Sequence, residues 1–149
     1  MKIKTLLALS AALFCLLISA DGAFAGVTVV VNIQNPVSSI SRRNLSNIYK
    51  LKKKSWDTGG IIDAVNLPQG DPLREKFSGA VLHKGSAAME KYYLKNALSG
   101  KGQPPRTASS SEEVKEIVKN NSNAVGYIDS SEVDSSVKVL PVDGARQIE

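Results

Sequence analysis

Apolar positions along the chain alternate between short continuous runs and a helical spacing. Gly26–Ile33 (GVTVVVNI) is a β-branched run of strand length, with the largely apolar character of a strand covered on both faces. Asn35-Pro36 breaks it, and Ser41 stands where a helix cap belongs. Leu45, Ile48 and Tyr49 then share one face of a predicted helix over Arg42–Tyr49. Ile61–Val65 is a second buried-type strand. From Asp71 the period changes again, placing Leu73, Phe77, Ala80 and Val81 on one helical face. A further helix is predicted over Ser86–Leu98, buried through Met89, Tyr93 and Ala97 or else through Tyr92 and Leu94, and closed by the glycines and prolines of SGKGQPPR. Ser109 or Ser110 with Glu112 or Glu113 makes a capping box ahead of inward-facing Val114, Ile117 and Val118. Ala124–Ile128 is a third strand and Val137–Leu140 a fourth, and the patternless tail from Asp143 is expected to fray.

This order predicts one α/β domain over residues 26–142, a mostly parallel sheet with helices on its faces. Ahead of it, residues 1–25 have the make-up of an export leader: Lys2 and Lys4, an apolar run over Leu6–Ile18, and the small-x-small site Ala23-Phe24-Ala25. The expectation is a cleaved leader and a periplasmic or secreted product. The one cysteine, Cys15, lies inside that apolar run, so the remainder offers neither a disulfide nor a thiolate metal ligand. With a formal net charge of +5 the chain is mildly basic, which suits anionic partners but also an ordinary solvated surface.

Asn66–Phe77 (NLPQGDPLREKF) has the outline of a loop that seats an oxyanion on a helix N-terminus: an apolar strand enters it and an Arg-bearing helix leaves it. The helix begins with Asp71-Pro72, however. Pro72 is well placed at the first helical position but lacks an N–H, and an Asp71 cap would accept from the same amides that an anion needs.

Three phrases resemble the phosphate-type substrate-binding proteins of bacterial ABC importers, of the type II periplasmic-binding fold. They are VVVNIQNPVSSISRRNLSNIY with Trp56 beyond a basic turn, IIDAVNLPQGDPLREKF, and EEVKEIVKNNSNAVGYIDSSEVDSSVKVL. The resemblance implies a single lobe of that two-lobed fold. It also implies a loop of the form Arg-x-x-Gly-Ser-Gly-Thr-Arg, whose hydroxyls and amides hold phosphate. Gly70 and Arg74 match that loop by position, whereas Leu67, Asp71, Pro72 and Leu73 replace its first Arg, Ser, Gly and Thr. Two readings are open at this point. One is a self-capped helix start with Arg74 on a solvated face; the other is a ligand site of altered chemistry at Gly70, Asp71, Leu73 and Arg74.

Other candidates carry less. The Lys50, Lys52, Lys53, Lys54 run complements a helix C-terminus, or meets a permease, an anionic lipid surface or nucleic acid. Nucleic acid is disfavoured, because 5% aromatics leave little to stack on bases and Trp56 is expected to lid the core. His83 is the one histidine and has no Cys or second His with which to form a familiar zinc site or catalytic dyad. The expectation is a non-enzymatic solute-binding or sensing module without a cofactor. It would take a small oxyanion and work beside a membrane transporter or sensor. The alternative is an interaction or structural protein that has lost its ligand and forms a homodimer or docks on a membrane partner.

Overall fold

The structure is a computed structural model that describes residues 26–149. The predicted leader over residues 1–25 lies outside the described residues. Five strands form one sheet: β1 (Val27–Val31), β2 (Asp63–Asn66), β3 (Arg106–Thr107), β4 (Ala124–Asp129) and β5 (Lys138–Val139), in the order β3-β2-β4-β1-β5. Four α-helices connect them, α1 (Arg42–Tyr49), α2 (Pro72–Phe77), α3 (Ser86–Leu98) and α4 (Ser111–Asn120), with a π-helical turn over Ser78–Leu82 directly after α2. The α/β expectation holds: one open five-stranded sheet is flanked by helices.

The sheet is mixed, which corrects the expectation of a mostly parallel one. β2 runs parallel to β3 and β4, while β1 runs antiparallel to both β4 and β5. A buried run such as VTVVV has the same composition in either direction, so its periodicity carries no sign of strand sense. β2 also begins later than predicted: Ile61 is exposed and only bridges Ser55, and the buried stretch is Val65–Leu67. The C-terminal tail does not fray. Val27 and Ile148 exchange both backbone hydrogen bonds, at 3.1 and 2.7 Å, and Ile148 is buried.

The two faces of the sheet are separated by one dipeptide in β4. A Cβ on Gly126 would lie 2.5 Å from Val114 Cγ1 of α4, so that helix sits directly on the glycine. The next side chain, Tyr127, points the other way by the two-residue period of a strand. There it stacks on Phe77 of α2 with centroids 3.9 Å apart, and Tyr49 of α1 meets Phe77 edge-on at 4.8 Å. The Asn66–Phe77 segment leaves the C-terminal end of β2 and leads into α2, with α3 following after the π-helical turn.

Local signals account for most helix starts. Ser41 accepts from Asn44 N, and Ser110 accepts from Glu113 N. The Glu113 carboxylate reaches back to Ser109, at its amide and hydroxyl, rather than to the cap itself. Trp56 is buried and donates through Nε1 to Asn123 O at 3.1 Å, the core-lid role expected of it.

Candidate functional site

Pro68 O accepts from Asp71 N at 3.1 Å, closing a tight turn whose third residue, Gly70, has φ of 84°. That value favours glycine, and it swings the chain from β2 into α2. Asp71 then caps α2: its Oδ1 accepts from Leu73 N at 2.8 Å and from Arg74 N at 3.3 Å. Pro72 occupies the first helical position, where its missing N–H costs nothing.

The four predicted site residues do not share one ligand-facing surface. Gly70 is exposed, Asp71 is half-buried as the cap, and Leu73 is in the core. Arg74 is buried at 1% exposure, which corrects its expected place on a solvated face. Its guanidinium turns inward under the loop. Nη1 donates to Leu67 O at 3.0 Å and Nη2 donates to Glu90 Oε1 of α3 at 2.6 Å, while Nε has no partner among the described residues. The loop residue that looks most like an anion ligand is thus tied to the protein's own carbonyl and carboxylate.

A second internal carboxylate completes the arrangement. α3 starts at Gly85, which offers no capping side chain, and Glu75 from α2 takes that place. Glu75 accepts from Ser86 N at 3.3 Å and from the Ser86 hydroxyl, whose oxygen in turn accepts from Gly70 N at 3.2 Å. The Ser86 hydroxyl and amide hold the Glu75 carboxyl below its ordinary range. From Gly70 to Arg74, every backbone N–H therefore has a partner inside the protein: Ser86, Pro68, and Asp71 twice.

Behind the loop lies a buried phenol cluster. Tyr127 OH donates to Asn66 Oδ1, and Leu67 N donates to both of those oxygens, at 3.3 and 3.2 Å. Tyr49 OH donates to Val65 O at 2.8 Å, and Tyr93 OH donates to Tyr49 O at 2.8 Å. Burial pushes the Tyr49, Tyr93 and Tyr127 hydroxyls above the ordinary phenol range, so all three remain neutral donors. Asn66, Tyr127 and the buried Arg74 together lock the start of the loop to the core.

Sequence reasoning missed Glu75, Ser86 and Glu90. One signal was available for the first pair: a helix opening on Gly85 without a cap needs an acceptor from elsewhere. Elsewhere, His83 is an exposed residue in the left-handed region, ending the π-helical turn. The lysine run divides, Lys53 pairing with Asp57 and Lys54 donating to Lys101 O, while Lys50 and Lys52 line a separate cavity with α3.

No family model matches the chain, and no curated protein matches it. Solved structures do. The fold is that of a single lobe of a phosphate-type substrate-binding protein. The chain is similar to a putative phosphate ABC transporter substrate-binding protein with bound phosphate from Clostridium perfringens, at 26% identity over 82% of this chain, with a TM-score of 0.66. It is also similar to an ABC-type phosphate transport receptor from Vibrio cholerae, at 25% identity over 82% of this chain and a TM-score of 0.57. PstS from Borrelia burgdorferi, at 15% identity over 80% of the chain and a TM-score of 0.62, shows the shared fold alone. The chain spans about half the length of these proteins: 46%, 48% and 48% respectively.

Proposed function

We propose that this chain is an exported, non-enzymatic module of the solute-binding type whose oxyanion loop is degenerate and does not hold free phosphate. One observation carries the reading. The two helix N-termini at the loop are both occupied from within, α2 by Asp71 and α3 by Glu75, and the Arg74 guanidinium is spent on Leu67 O and Glu90. A phosphate approaching these amides would meet two carboxylates already seated there, and like charges at one seat repel. The resemblance to phosphate-binding proteins supports the solute-binding architecture, and the leader-like residues 1–25 support a periplasmic or secreted location.

The closed loop favours the interaction reading as its alternative: a lobe that has given up its ligand and works by docking on a membrane partner or on a second copy. Exposed Leu94 and Leu98 on α3 support it. Calorimetric titration with phosphate separates retained from lost oxyanion binding. The expected result is no heat of binding for the wild-type chain, and micromolar binding would contradict the degenerate-loop reading.

A further inference from the structure

The outer face of α3 and the exit of α1 form a surface that the anion loop does not use. Lys50, Lys52, Lys95 and Lys101 line one cavity of about 370 Å³ together with Leu51 and Tyr92. No acidic side chain lines it. Directly beside it, Lys91, Leu94, Lys95 and Leu98 border a second hollow of about 410 Å³, and Lys95 and Ser99 belong to both. Among the described residues, none of these five lysines is paired with a carboxylate.

The surface is held in shape rather than left to loop chance. Tyr92 OH donates to Lys50 O at 2.6 Å and Tyr93 OH to Tyr49 O at 2.8 Å, pinning α3 to the end of α1. Lys54 Nζ donates to Lys101 O at 3.2 Å and so draws the α3 exit onto the same side.

Its chemistry has two parts. Five ammonium groups without a carboxylate partner favour a polyanionic surface, which offsets their mutual repulsion. Leu94 and Leu98 are one helical turn apart, 61% and 80% exposed, and stand beside Lys91 and Lys95 at the rim of the open second hollow. Exposed apolar side chains beside cations match a bilayer interface, where acyl boundary and headgroup phosphate lie within one side-chain length of each other. An acidic protein surface without apolar side chains of its own would satisfy the cations and leave the leucines in water. We infer that the α1–α3 face docks on an anionic membrane surface, Leu94 and Leu98 entering between headgroups while Lys50, Lys52, Lys91, Lys95 and Lys101 contact their phosphates.

The sample is residues 26–149, the product expected once the leader proposed above is removed. The test is co-sedimentation with vesicles of phosphatidylglycerol and phosphatidylcholine, and with vesicles of phosphatidylcholine alone. Binding is expected only to the anionic vesicles, and should weaken as salt rises. In Lys52→Glu/Lys95→Glu/Lys101→Glu it should fall by more than about five-fold per charge, since each position changes from attraction to repulsion. Leu94→Ser/Leu98→Ser should reduce it while leaving the salt dependence. Both variants alter exposed positions, and circular dichroism confirms that they fold. Equal binding to both vesicle types, no binding to either, or anionic-vesicle binding unchanged in both variants would overturn the proposal. So would capture by polyglutamate without capture by vesicles, which would give the face to an acidic protein.

Discussion

Arg74 and Glu90 lie sixteen residues apart in sequence and meet at 2.6 Å, with the guanidinium buried and the carboxylate half in solvent. The asymmetry predicts unequal costs for removing either partner. Glu90→Ala leaves a buried guanidinium with no counter-charge, and should cost about 3 kcal/mol, the low end for a broken buried pair because Glu90 is partly exposed. Arg74→Met removes the charge and its unpartnered Nε together, and leaves only Leu67 O short of a donor, for about 1–2 kcal/mol. Urea unfolding of both variants gives the order; a larger loss in Arg74→Met would place the guanidinium's role elsewhere.

Gly126 is required by α4 rather than by its own backbone. A methyl group there would sit 2.5 Å from Val114 Cγ1 and 3.5 Å from Val65 Cβ. Gly126→Ala should therefore lower stability by about 1–3 kcal/mol through overpacking. Pairing it with Val114→Ala should recover part of the loss if that contact is the cause.

Glu75 links the loop to pH. Its folded carboxyl is held below the ordinary range by Ser86, so its contribution to stability is complete above the unfolded carboxylate range and is lost as pH falls through the lowered folded value. Glu75→Gln should flatten that part of the acid limb in a thermal-unfolding series. Ser86→Ala should do the same, because the Ser86 hydroxyl is the main group holding that carboxyl low.

Tyr127→Phe should cost about 1–3 kcal/mol, since the buried Asn66 Oδ1 and Leu67 N lose a shared partner while the Phe77 stack remains. Chemical denaturation measures it. No change would mean that water or a side-chain rotation replaces the hydroxyl.

What could be read from the sequence divides by distance along the chain. Ser41 and Asp71 were legible as caps, and the cap of α4 was narrowed to Ser109 or Ser110, because a cap and its amides lie within three residues. The order of elements followed from changes of period, and the α1 face Leu45, Ile48 and Tyr49 is buried as expected. The sense of β1 was not legible, because direction is set by pairing with β4, about a hundred residues away. Nor was the tie between Ile148 and Val27, where a patternless tail ends in one apolar residue that finds an edge. At the site, the local half was readable and the long-range half was not. Asp71 could be assigned to the amides of α2, but Glu75 reaching Ser86 and Arg74 reaching Glu90 depend on how α3 folds back over α2. The effect of the hidden half is to extend the self-capping seen at Asp71 to the neighbouring helix.

The most direct measurement is calorimetric titration of phosphate into three forms of the protein. These are wild type, Asp71→Ser/Pro72→Gly/Leu73→Thr, and the same triple variant with Glu75→Gln. A loop closed by its own carboxylates predicts no binding by wild type, and affinity that appears in the triple variant and grows when Glu75 is neutralised. Micromolar binding of phosphate by the wild-type chain, with Asp71 and Glu75 in place, would contradict it.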